Sequence, residues 1–157
     1  MHNVVRKLID RNITIATAES LTGGLISKII TDVPGASKIL KESFVVYSNE
    51  AKVNLLGVDV NIIDKYGVVS SEVAFDMAKM LYKKTGKDIC VATTGNAGPD
   101  ICDDKPVGRV YIGISFKNDI KVYECNFASN GTDTEKRDYV RNETAKKVFE
   151  EIDKLIS

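Results

Sequence analysis

Histidine is nearly absent from this chain of 157 residues: the only one is His2, beside a terminus, where side chains seldom find fixed partners. A mechanism whose base is histidine, and any His-rich metal site, is thereby set aside. Cysteine is scarce as well. Cys90, Cys102 and Cys125 are odd in number and widely spaced, which fits neither a disulfide framework nor a metal-ligand pattern, so they read as buried or idle thiols. Charge of one sign is not in excess, with 22 basic against 22 acidic residues and no block of five like charges. The electrostatic footprint of a nucleic-acid binder is missing. No apolar run approaches the roughly 18 residues that a membrane span requires, and the opening MHNVVRKLID lacks the long apolar core of a signal peptide. The expectation is a soluble, cytoplasmic protein that engages neither nucleic acid nor membrane.

What is present is a core. A composition 43% hydrophobic over 157 residues is enough for one domain, 1–157, without repeats or linkers. Apolar spacing in Val4, Val5, Leu8 and Ile9 predicts a first helix that stops near Arg11-Asn12. TIATA reads as strand one, LTGGLISKIITDV as a helix, ASKILKE as a short helical turn after Pro34-Gly35, and SFVVYS as strand two. NEAKVNLL and VNIIDKY are helical, with Gly57 at the C-cap of the first. Ser70-Ser71 caps a helix over EVAFDMAKMLYKKTG. DICVATTG is strand three. VGRVYIGISF and IKVYECNF form a hairpin across Lys117-Asn118-Asp119, and the capping box Thr132-x-x-Glu135 opens a last helix. Strands alternating with helices predict a three-layer α/β/α sandwich whose sheet is mixed, mostly parallel, and of about five to six strands. Ligands of such sheets sit at the carboxyl ends of the strands, which points to Glu19–Gly24, Tyr47–Lys52 and Thr93–Pro99.

Each of these places carries two readings. Ser20, at a strand-to-helix corner, is either a nucleophile beside free helix-start N–H groups or a plain cap. Gly23-Gly24 serves close approach to a ligand or close packing. Lys52, in the first turn of a helix that follows Tyr47 by five residues, is disfavoured as a cation by the helix dipole. It is either a neutral base in a closed pocket or a solvated surface lysine with Tyr47 as packing. With histidine scarce, a Ser-Lys or Ser-Tyr-Lys arrangement is the remaining route to an activated hydroxyl. Residues 93–108, TTGNAGPDICDDKPVG, form a long polar loop, read as a binding loop or a surface excursion. Its Asp100, Asp103 and Asp104 read as solvated carboxylates rather than metal ligands. Arg137 and Arg141 share a helix face, for a phosphate or for ion pairing with Glu135 and solvent.

Taken together, AESLTGG, PGAS, YSNEAK, LLGV, GVVSSEVA, TGNAGP and KPVG, in this order and spacing, resemble the C-terminal domain of CinA. That competence/damage-inducible protein family has standalone members that are nicotinamide-nucleotide amidohydrolases. The resemblance runs over roughly residues 4–155. It implies hydrolysis of the carboxamide of nicotinamide mononucleotide, without metal or cofactor, with Ser20 as nucleophile, Lys52 as its base and Tyr47 assisting proton transfer or orientation. It further implies that Arg137 holds the substrate phosphate, that Thr94, Gly95 and Ala97 line the pocket, and that N–H groups around Leu21, Thr22 and Gly23 hold an oxyanion. A homodimer is implied as well. The chain departs from the family pattern where Asn96 replaces an isoleucine, where Ile101-Cys102 replaces glycines, and where about four extra residues stand between Gly131 and Arg137. The alternative is a pyridine-nucleotide-binding module of the same fold that performs no chemistry. Glu19 either orients Lys52, caps backbone N–H groups or is purely structural.

Overall fold

Alternation along the strands sets the architecture. In the computed structural model, which describes residues 1–157, five strands form one sheet in the order β2-β1-β3-β4-β5. They are β1 (Ile15–Glu19), β2 (Leu40–Val45), β3 (Ile89–Gly95), β4 (Arg109–Phe116) and β5 (Asp119–Asn126). β1 pairs in parallel with β2 and β3, while β4 and β5 are added antiparallel, so only β4 runs against the other four. Ile15, Ile89, Val91, Val110, Ile112 and Ile114 face one core, shared with α1 (His2–Asp10), α2 (Leu25–Thr31) and α6 (Asp133–Ile156). The intervening Ala16, Ala18, Cys90 and Ala92 face the second core, under α4 (Val60–Tyr66) and α5 (Ser71–Thr85). This is the expected three-layer sandwich. Small residues on the second face bring α5 close: a Cβ at Gly113 would lie 2.3 Å from the Ala74 carbonyl oxygen, so glycine is required there. No helix is long and apolar enough to cross a membrane.

Five boundaries differ from the sequence reading, each for a local reason. α2 starts at Leu25 rather than Leu21, because Gly23 and Gly24 take φ of +56° and +97° and turn the chain before the helix begins. The helical turn after Gly35 spans only Ala36–Lys38. The chain then enters β2 at Leu40, where pairing with Ile15 captures it. β2 accordingly ends at Val45, two residues before Tyr47. NEAKVNLL divides into α3 (Asn49–Ala51) and a π-helical turn, Lys52–Leu56, closed by Gly57 at φ +87°. The hairpin loop is two residues, Lys117 and Asn118, both at positive φ, the conformation whose twist suits a two-residue hairpin. The caps at Ser70, Gly86 and Thr132 with Glu135 stand where the sequence placed them.

Candidate active site

The end of β1 divides two side chains between the two layers. Glu19 follows the parity of Ile15 and Thr17 and enters the α2 layer. Ser20 follows Ala16 and Ala18 toward the other side. Glu19 is fully buried and accepts from the N–H groups of Gly24, Ile26 and Ser27 at 3.1, 3.0 and 2.9 Å, and from the Ser27 hydroxyl at 2.5 Å. Its carboxylate is therefore the cap of α2 and does not touch Lys52. The helix-start donors that a substrate anion would need are already taken. What remains open is the turn before them. Gly23 N–H donates to the Ser20 carbonyl at 3.0 Å, whereas the amides of Leu21 and Thr22 donate to no group of the protein.

Lys52 arrives from the opposite layer at the junction of α3 and the π-helical turn. Its Nζ lies 3.0 Å from Ser20 Oγ and donates to the Val46 carbonyl, also at 3.0 Å. Only 1% of the residue is exposed and it has no carboxylate partner. Burial lowers its pKa from 10.5 to about 8, the Cys102 thiol pulling weakly the other way. Ser20 itself is 8% exposed, and the pair meets the outside through a mouth.

That mouth is a cavity of about 200 Å³ at the carboxyl ends of β1 and β3. Of the residues read from the sequence, Ser20, Leu21, Tyr47, Lys52, Thr94, Gly95, Ala97 and Arg137 line it. Thr22 and Gly23 do not. Thr22 points into the α2 layer, where its hydroxyl meets that of Thr93 at 3.0 Å, and Gly23 sits beneath the guanidinium of Arg141. Thr94 donates to the Val68 carbonyl at 2.6 Å and so joins the floor to the segment before α5. Tyr47 is 61% exposed; its hydroxyl accepts from Arg137 at 3.1 Å and contacts neither Ser20 nor Lys52. Arg137 also donates to the Gly98 carbonyl and forms no ion pair, Glu135 being engaged in the capping box.

Asn49, Val68, Val69, Asn96 and Cys102 complete the lining and were not read as site residues. Asn96 carried a signal, standing in the polar loop where the family has isoleucine. Its side-chain amide donates to the carbonyls of Asp100 and Lys105 at 2.9 and 3.3 Å and its oxygen accepts from Gly98 N–H at 2.9 Å, so it braces the loop from within. Asp103 accepts from Val69 N–H at 3.0 Å, which fastens the loop across the cavity wall. Cys102 is thereby set in that wall, half-buried. Burial and the neighbouring Asp103 push its pKa up. Cys90 and Cys125 are buried, as read. No group of three or more His, Cys, Asp or Glu side chains converges on a point that would hold a metal ion.

A buried amine thus stands against a hydroxyl, beside two unspent backbone amides, at the end of a central parallel strand of an α/β domain. The family follows from the comparisons. The model of the CinA C-terminal domain matches residues 1–156, and the chain belongs to that family. It is 46% identical over 152 residues to a competence-damage inducible protein of Acetivibrio thermocellus, covering 96% of this chain and 35% of that one. To one of Clostridium novyi it is 48% identical over 126 residues, covering 80% and 30%. The chain thus spans about a third of the length of these relatives. Among solved structures, the competence/damage inducible protein CihA of Agrobacterium tumefaciens superposes with a TM-score of 0.89 at 30% identity, covering 99% of this chain and 95% of that one. A CinA superfamily protein of Klebsiella pneumoniae gives 0.90 at 24% identity, covering 99% and 96%, a likeness of fold alone.

Proposed function

We propose that this domain hydrolyses the carboxamide of nicotinamide mononucleotide to nicotinic acid mononucleotide and ammonia, Ser20 acting as nucleophile and Lys52 as its base. The observation that carries this reading is the 3.0 Å approach of Lys52 Nζ to Ser20 Oγ, with the lysine 1% exposed and without a carboxylate partner. With a pKa of about 8, about a tenth of the lysine is neutral at pH 7. The neutral amine keeps its donation to Val46 and turns its lone pair to the serine O–H. Ser20 Oγ then attacks the amide carbon, its proton passing to Nζ. The oxygen that becomes negative is met by the free N–H group of Leu21, which lines the cavity. The ammonium returns the proton to the leaving nitrogen, which departs as ammonia and leaves an acyl ester on Ser20. Water, deprotonated by the same amine, releases the carboxylic acid. Arg137 at the mouth offers a bidentate cation for the nucleotide phosphate, and Tyr47 holds that cation in place.

Ammonia release from nicotinamide mononucleotide, measured for the natural chain, Ser20→Ala and Lys52→Ala, tests this. Each variant is expected to lose about 10³-fold or more in kcat. In the natural chain kcat/KM should rise about tenfold per pH unit below about 8 and level off above it, because only the neutral amine is competent. A chelator should change nothing. Equal activity in the three proteins would remove the assigned roles. Binding of the nucleotide without ammonia release would mean a binding module of the same fold.

A further inference from the structure

Arg141 is the one cation near the pocket that the reaction above leaves unused. It lies one turn beyond Arg137 on α6, and its guanidinium reaches the turn that follows Ser20 rather than the cavity. Nη2 donates to the Thr22 carbonyl at 3.1 Å. The same nitrogen would stand 3.5 Å from a Cβ at Gly23, so the guanidinium is seated directly on the turn. Its nearest carboxylate, on Asp138, is 4.0 Å away and largely exposed, and its Nε is buried with no partner. The charge is therefore directed at one backbone carbonyl and is scarcely neutralised elsewhere.

That carbonyl belongs to a residue held at its oxygen and at its hydroxyl. The Thr22 oxygen also accepts from Leu25 N–H at 3.0 Å, and the Thr22 hydroxyl meets Thr93 at 3.0 Å. A carbonyl has two lone pairs, and here both are used. Of the two amides left open in this four-residue turn, that of Leu21 belongs to the cavity lining, and its direction depends on how rigidly the turn, closed by Gly23 N–H on the Ser20 carbonyl, is held. Preorganised donors stabilise developing charge because they need not rotate when it appears.

We propose that Arg141 is the positioning residue of the oxyanion site: by clamping the Thr22 carbonyl it steadies the turn that carries the Leu21 amide and so keeps that amide aimed at the oxygen of the reacting amide. The proposal rests on Ser20 being the nucleophile. It assigns the two arginines separate tasks, Arg137 toward substrate and Arg141 toward the turn. The test compares Arg141→Met, Arg141→Lys and Arg137→Met in two measurements. In kinetics on nicotinamide mononucleotide, Arg141→Met should lose about 10- to 100-fold in kcat, less than the loss of an oxyanion donor itself, with KM within about twofold. Arg141→Lys, which still donates to the carbonyl, should recover part of it. Arg137→Met should instead raise KM. In amide hydrogen exchange, which needs no activity, Gly23 and Leu25 should exchange about tenfold faster in Arg141→Met, as expected when a charge-assisted hydrogen bond is removed, while the β3 amides are unchanged. Unchanged exchange at the turn, or a rise in KM matching that of Arg137→Met, would overturn the proposal. If the natural chain releases no ammonia the amidase reading fails on its own, and exchange still decides whether the clamp exists. Should Arg141→Met not fold, the lysine variant supplies both readouts.

Discussion

At the floor of the pocket Ser20, Lys52 and Thr94 are at most 8% exposed, and each rests on the end of a strand or the start of a helical turn. At the rim Tyr47 is 61% exposed, Arg137 is half-buried, and the wall between them is a loop braced by Asn96 and Asp103. The contrast separates two kinds of electrostatics. An amine enclosed by the scaffold is tuned by the water it lacks, so its neighbours set its reactivity. A guanidinium at the mouth keeps its charge whatever surrounds it, so its value lies in reach and in pairing with an anion. On the proposed reading, chemistry is lodged in the floor of the pocket and selection at its rim.

The sharpest way to break this contrast is to measure what the floor costs the fold. Lys52 is a cation in the unfolded chain up to its usual range, but in the fold its pKa is about 8. Below about 8 both states are protonated and the folded one carries the full desolvation cost, about 3 kcal/mol. As pH rises through 8 toward 10.5 the folded lysine sheds its proton first and the cost disappears. Lys52→Met should therefore raise the stability at pH 7 by about 2 kcal/mol, once the Val46 carbonyl left without a donor is counted against it. The gain should vanish or reverse above pH 10.5. Urea denaturation at the two pH values reads this directly. A variant less stable than the natural chain at pH 7 would mean that the amine is not desolvated.

The rim should respond in binding, not in stability. Arg137→Met removes the mouth's cation and leaves its neighbours solvated, so the free energy of unfolding should stay within about 0.5 kcal/mol of the natural chain's. KM for nicotinamide mononucleotide should rise about 20-fold, the worth of one charge-assisted phosphate contact, with kcat nearly constant. The dephosphorylated riboside should show no such difference between the two proteins. A fall in kcat alone would place Arg137 with the floor and erase the distinction.

How much of this was legible beforehand follows the same boundary. Local patterns predict the strands, the caps at Ser70 and Thr132, and Ser20, Tyr47 and Lys52 as a group at the strand ends. The sequence could also present Glu19 beside Ser20, but not their separation: that depends on β1 being buried on both faces, so that adjacent residues enter different layers. Thr22 and Gly23 were drawn into the predicted pocket by adjacency. In three dimensions the turn at Gly23-Gly24 aims them away from it. Val68, Val69, Cys102 and Asn49 reach the cavity only through contacts between segments far apart in the chain, which no local periodicity encodes.

Asn96 is where rim and floor meet, and it offers the finest test of their independence. It is 6% exposed and its side chain makes three hydrogen bonds, all to backbone groups of residues 98–105. Those groups lie near the surface, and water can take over most of the bonds, so Asn96→Ala should lower global stability by only about 1 kcal/mol. Locally the effect should be larger, since the loop holds Asp103 on Val69 and Cys102 against the cavity. Proteolysis within residues 98–106 should accelerate several-fold. A loosened wall admits water to Lys52, which relieves its desolvation and moves the midpoint of the pH–rate curve upward from about 8. If the loop loosens while that midpoint stays fixed, the floor is insulated by the strands and the π-helical turn alone, and the loop acts on substrate choice without touching the base.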